Sequence, residues 1–224
     1  MPRKGTYVDF LTMCGMLGQG FLVSLQIFAL TLLGALPLGL PVALARMSKV
    51  RPLAAVARFY ISIMRGTPLM LQMFAIYFVP YYVFGISLTT DSKWQATIVA
   101  FIINYAAYFA EIYRSGIQSI PRGQYEAAEV LGYTGGQTFF RIVLPQVVKR
   151  ILPSITNEVI TLVKDTSLAF SIGVIEMFTV AKQLVAAQVS MLPFAIAAAF
   201  YWVFNLLIDA LATRVERKLD YYHD

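Results

Sequence analysis

One cysteine and one histidine stand in 224 residues, and charged side chains make up only 13% of the chain. Cys14, being alone, can close no intrachain disulfide and reads as a small packing residue rather than a nucleophile. His223 lies next to the C-terminus, and no HExxH, Cys/His cluster or GxSxG elbow occurs, which removes the usual ligands and bases of hydrolytic enzymes. No GxxxxGK[ST] loop is present, so the chain cannot hold ATP in the P-loop manner and any energy source must be a partner. The Gly15, Gly18 and Gly20 group follows no strand and has the wrong spacing for a dinucleotide site; it reads as helix packing or a flexible start to the first apolar run.

What is abundant is apolar. Hydrophobic residues make up 58% of the chain and the mean hydropathy is +0.68, too high for a soluble domain of this size. Runs long enough to cross about 30 Å of hydrocarbon are predicted at residues 20–45, 66–86, 94–114, 155–181 and 191–212. Arg3, Lys4 and Asp9 precede the first of them, and no small-residue cleavage pattern follows a short core, so a removable signal peptide is not expected. With the N-terminus outside, thirteen of the eighteen Lys and Arg residues fall in cytoplasmic segments, as the positive-inside rule requires, although Arg3 and Lys4 fit that end poorly. The net charge of +6 then reflects contacts to anionic headgroups rather than to nucleic acid, for which no separate basic domain exists. Tyr77, Tyr81, Tyr82 and Trp94 bracket the outer loop as an aromatic belt would, Pro37 and Pro41 are expected to kink the first span, and Ala195 and Ala199 form a small-xxx-small packing pair.

Two spans carry polar stripes. Asn104, Tyr108, Glu111 and Ser115 recur at four, three and four residues and share one helical face, with Ala106, Ala107 and Ala110 roughly opposite. Ser154, Asn157, Glu158, Thr161, Lys164, Asp165 and Ser171 form a broader stripe. Charges near a bilayer centre cost about 2.5–3.5 kcal/mol each on insertion scales, so they require partners or water. On one reading Lys164 meets a substrate carboxylate, and Glu111, Glu158 or Asp165 an ammonium; on the other these charges pair with one another or across a subunit interface. A helix running unbroken from Lys149 to Lys182 would be roughly 50 Å long, so part of it lies at the interface or it breaks near Thr166, Ser167, Ser171 and Gly173, with Pro153 marking an upward turn.

Between these spans, residues 118–149 read as a charged helical hairpin. Glu126 sits in the first turn of a short helix, Ala127 and Ala128 give it a smooth face, and Gly132 ends it. A second helix from about Gln137 is expected to stop at Pro145.

Glu126-Ala127-Ala128, Gly132 and Ile142-Val143-Leu144-Pro145 together resemble the signature cytoplasmic loop of ABC importer permease subunits. Arg65-Gly66-Thr67-Pro68 with Gln72, the segment from Asn104 to Ile117, and Asn157-Glu158 followed by Lys164 to Leu168 are similar to the polar amino-acid (histidine, glutamine, arginine) branch of that family. The resemblance implies an all-α integral membrane protein: a type I importer-like bundle of five transmembrane helices with a cytoplasmic coupling hairpin. It implies a translocation path lined by Asn104, Tyr108, Glu111, Asn157, Glu158, Thr161, Lys164, Asp165 and Ser167, and coupling through Glu126, Ala127, Ala128, Gly132 and Pro145. It also implies a bacterial cytoplasmic membrane location, a second permease subunit (identical or a paralogue), a cytoplasmic ATP-binding dimer that carries ATP and magnesium, and an extracytoplasmic amino-acid-binding protein. No cofactor or metal is expected on this chain. Arg65-Gly66-Thr67-Pro68 reads first as a start signal at headgroup level, and second as a gating element. A self-contained transporter would show two related halves, which are not found. A homo-oligomeric channel fits the stripes but leaves the hairpin without a purpose, and a membrane enzyme lacks a nucleophile or metal set.

Overall fold

The structure is a computed structural model and describes residues 8–219; Arg3, Lys4 and His223 lie outside them. Those residues form helices α1 (Phe10–Met47), α2 (Arg51–Gly66), α3 (Leu69–Phe84), α4 (Thr90–Gln118), α5 (Arg122–Val130), α6 (Gly135–Thr138), α7 (Leu144–Asp165), α8 (Met177–Gln188) and α9 (Leu192–Leu219), with no strand among them. α1, α4 and α9 are each long and apolar enough to cross a membrane, and two bent pairs bring the number of possible spans to five. In the first pair α2 and α3 meet at 109°; in the second, the helical rod over Gly135–Ile172 and α8 meet at 61°.

α4 is the centre of the bundle. Ala100, Ala106, Ala107, Phe109 and Ala110 are fully buried, and α1 lies along them by way of its glycines. A Cβ on Gly39 would fall 2.9 Å from Phe109 Cβ and 3.2 Å from the Ala106 carbonyl, a separation only a bare backbone permits. Gly20 makes the same kind of approach to the start of α8, where a Cβ would lie 2.8 Å from Met177 Cα, whereas Gly15 and Gly18 face open space.

Helix ends follow local chemistry. Asp9 caps α1 by accepting from the Thr12 amide at 3.4 Å, and the Thr12 hydroxyl and amide hold its carboxyl below the usual carboxylate range. Thr89 and Ser92 form a reciprocal capping box at the start of α4. After α7 the chain tightens into a 3-10 stretch, Thr166–Ile172, and Gly173 turns it with φ 81°. The long fourth hydrophobic run is therefore broken, and at the residues whose side chains invite it.

α1 contains both Pro37 and Pro41, the two residues expected to bend it. Several other expectations change. Pro153 lies inside α7 and not at a turn between helices. Pro145 does not stop its helix: Phe139–Val143 is a π turn in which the Leu144 amide reaches back five residues to the Phe139 carbonyl. The helix widens just before Pro145, which has no N–H to donate, and α6, the π turn and α7 run on as one rod. Tyr77 is buried at 7% exposure in the core while Tyr81 and Tyr82 are exposed, so only part of the expected belt faces outward. Ala195 and Ala199 are exposed; the neighbouring Ile196 and Ala197 face the core instead, one step round the helix. The sequence reading did not foresee α2 as a separate helix.

Candidate functional site

The corner between α2 and α3 needs an explanation, because a helix bent by 109° leaves carbonyls without intrahelical donors. Gln72 supplies them. Its amide nitrogen, with two hydrogens to donate, lies within hydrogen-bond distance of Met64 O (3.0 Å), Thr67 O (3.1 Å) and Thr67 Oγ1 (2.8 Å). Asn104 of α4 completes the lattice, donating to Met64 O and to Gln72 Oε1, each at 2.9 Å. Both residues are buried, at 8% and 4% exposure. The Asn104 amide is thus engaged in holding a corner, although the residue also borders the cavity beside it.

That cavity has a volume of about 710 Å³, within the size range of small-molecule sites. Thr67 to Leu71 wall it at the corner, Asn104, Tyr105 and Tyr108 from α4, and Glu158, Thr161, Asp165 and Leu168 from α7 and the 3-10 stretch. The last four recur at three, four and three residues and so share one face of the rod. Asp165 accepts a hydrogen bond from the Tyr105 hydroxyl at 2.7 Å, while half-buried Glu158 makes no hydrogen bond or ion pair with any described residue. No lysine or arginine lines the cavity. Two cations stand beside it: Arg65, at the end of α2, whose guanidinium carbon lies 5.1 Å from the centre of the Tyr108 ring, and Lys164, the chain neighbour of Asp165.

The remaining sequence-predicted path residues are elsewhere. Glu111 faces the C-terminal end of α1, where it accepts from Arg114 Nε at 3.0 Å and Nη2 at 2.7 Å and pairs with Arg46 at 3.7 Å. Asn157 and Lys164 lie off the cavity-lining face and are exposed, and the Ser167 hydroxyl turns back to the Lys164 carbonyl at 2.8 Å. Lys164 forms no ion pair with the acids around it. One turn of a helix advances 3.6 residues, so a stripe that spans 157, 158, 161, 164 and 165 is wider than one wall can use.

Sequence reasoning missed Tyr105 and the buried Glu176. The Glu176 carboxylate, with no exposure, caps α8 by accepting from Phe178 N (2.6 Å), Thr179 N (2.8 Å) and Thr179 Oγ1 (2.9 Å). An acid placed three residues before a threonine, at a break in an apolar run, was the available signal.

Far from the cavity, α5 ends in a tight reversal. Gly132 has φ 76°, Tyr133 N donates to Ala128 O at 3.0 Å and Gly132 N to Glu129 O at 2.9 Å, and Thr134 with Gln137 forms a capping box that starts α6. Ala128 is buried at 1% exposure, and Glu126 and Ala127 are exposed. Val130 and Leu131 stand out at 87% and 73% exposure. The hairpin is fastened back by Gln146 to Gln124 (3.3 Å) and by Arg150 to the Ser119 carbonyl (2.6 Å).

Comparison with known proteins agrees with this layout. The chain is 39% identical over 208 residues to the L-cystine transport system permease protein TcyB of Bacillus subtilis (strain 168), covering 92% of this chain and 87% of that one. It is 39% identical over 202 residues to the arginine transport system permease protein ArtQ of the same organism, covering 90% and 91%. A crystal structure of an amino acid ABC transporter with histidines superimposes with a TM-score of 0.84 at 34% identity, covering 94% of this chain and 99% of that one. Residues 35–221 match the family model for the inner membrane component of binding-protein-dependent transport systems, and the chain belongs to that family.

Proposed function

We propose that this permease subunit carries a polar amino acid through the cavity beside the α2–α3 corner. The observation that carries the reading is the charge arrangement: two carboxylates, Glu158 and Asp165, on one wall and a single guanidinium, Arg65, across Tyr108. An α-amino acid presents an ammonium and a carboxylate, and such a site matches each with its opposite where water is scarce. Arg65 thus takes the carboxylate-binding role that one of the two readings of the sequence gave to Lys164. Relatives named for cystine and arginine transport support the substrate class.

The hairpin serves as the contact to a cytoplasmic ATP-binding dimer. Its exposed Val130 and Leu131, beside Glu126 and Glu129, give an apolar knob with an acidic rim on a segment that almost nothing in this chain covers. Pro145 and its π turn join the knob to the rod that bears Glu158 and Asp165. A second permease subunit and an extracytoplasmic binding protein complete the assembly, in a bacterial cytoplasmic membrane. ATP and magnesium act on the partner, and this chain supplies path and coupling.

The test is uptake of radiolabelled amino acids by vesicles containing the chain with its co-purified partners. Glu158→Gln and Arg65→Gln are expected to reduce uptake at least tenfold while the complex still assembles. Normal uptake by both variants would place the path elsewhere.

A further inference from the structure

We infer that α2 lies flat in the cytoplasmic interface of the membrane, seated on the acyl chains and held by anionic lipid headgroups. The argument begins with direction. α3 has 16 residues, about 24 Å of helix, which falls short of the roughly 30 Å hydrocarbon core. α2 leaves it at 109°, within about 20° of perpendicular, so if α3 spans, α2 runs nearly in the plane of the bilayer. A helix of about 10 Å diameter laid across the end of α3 makes up the missing thickness. The corner is not a loose hinge, because Gln72 and Asn104 fix it from both sides.

The surface of α2 agrees with that placement. It divides into three arcs. Ala54, Ala57 and Ile61 are buried, and Ile61 clusters with Ala43 of α1 and Ala107 and Ala110 of α4. Leu53, Val56, Phe59 and Ile63 make a second, apolar arc that nothing in the chain covers, at 48%, 67%, 69% and 38% exposure. Arg51 and Arg58 stand two turns apart on a third arc, nearly opposite the apolar one, while Arg65 at the end of the helix lies over Tyr108. Lys49, Arg51 and Arg58 are exposed and form no ion pair among the described residues. One side faces protein, one faces acyl chains and one faces phosphates: this is the surface of an interfacial helix, whose apolar face sits about 5–10 Å into the headgroup boundary. A protein partner on the apolar arc would explain Phe59 and Val56 but would leave the row of unpaired cations without a counter-charge.

The full chain, with its co-purified partners and with Cys14→Ser as background, is reconstituted in phosphatidylcholine vesicles containing one quarter phosphatidylglycerol. Single variants Leu53→Cys, Val56→Cys, Phe59→Cys and Ile63→Cys are labelled with bimane, and quenching by lipids brominated at shallow and deep acyl positions gives the depth of each. The expected result is strongest quenching by the shallow bromines and depths that agree within about 5 Å at all four sites, whereas an upright helix would spread them over about 15 Å. Brominated phosphatidylglycerol is expected to quench the Phe59→Cys label severalfold better than brominated phosphatidylcholine, with the preference lost in Arg51→Gln/Arg58→Gln. Depths graded along the helix, or labels shielded from every brominated lipid by a second copy of the chain, would overturn the placement. Equal quenching by the two lipids would overturn the headgroup assignment.

Discussion

Replacing Asn104 by leucine, which keeps its branching and number of heavy atoms, removes two hydrogen bonds of 2.9 Å and leaves Gln72 Oε1 without its donor in a buried place. Each lost bond is worth about 0.6 kcal/mol on the transmembrane average, and a stranded buried acceptor costs about 1–3 kcal/mol more. The total is about 2–4 kcal/mol. Gln72→Leu removes the two hydrogen bonds that its amide can donate and strands Met64 O only in part, because Asn104 still reaches it, so its effect has a similar size. The double variant strands no side-chain amide at all. Its destabilisation should therefore be smaller than the sum of the two by about 1–2 kcal/mol, the coupling expected of residues in one network. Unfolding by SDS titration in mixed micelles measures all four corners of that cycle. Effects that add within about 0.5 kcal/mol would refute the shared lattice, and the α2–α3 corner would have to be held by packing alone.

Three further outcomes follow from single sites. Gly132→Val forces a β-branched side chain to φ 76° and should strain the hairpin by at least about 1–2 kcal/mol; loss of substrate-stimulated ATP turnover with normal membrane insertion is expected, and Gly132→Asn should retain turnover. Gly39→Ala places a methyl against Phe109 and the Ala106 carbonyl and should destabilise by about 1–3 kcal/mol, whereas Gly18→Ala meets nothing within 4 Å and should be neutral in the same thermal scan. Glu176→Ala leaves the Phe178 and Thr179 amides without acceptors and should lower stability by about 2 kcal/mol; an unchanged unfolding midpoint would count against its role as the cap of α8.

The parts of the molecule that were legible in the sequence are those where one residue type has one conformational use. Gly132 at a positive φ ends α5, as its lack of a Cβ allowed one to expect. The alanines expected on the packing side of α4 are buried, Ala107 and Ala110 against Ala43 of α1 and Ile61 of α2. What was not legible depends on chain direction. Arg65 stands at a helix end in the sequence, and only the 109° corner brings it over Tyr108. Lys164 looks as well placed as Asp165 until the helix assigns them to different walls, one exposed and one bonded to Tyr105. Pro145 was read as a stop because a regular α-helix cannot absorb it, but a π turn can. α2 escaped notice because an apolar arc and a basic row on one short helix resemble neither a span nor a soluble surface helix.

The rod from the hairpin to the cavity has a mechanical consequence. α7 alone is 22 residues long, about 33 Å of continuous helix, with the π turn at one end and Asp165 at the other. Pivoted at its cavity end, a lever of that length converts a swing of about 5° into roughly 3 Å of travel at the hairpin. Run in reverse, a displacement of one helical radius imposed on Val130 and Leu131, once carried across the Gly132 turn, is enough to re-aim the wall that carries Glu158, Thr161 and Asp165.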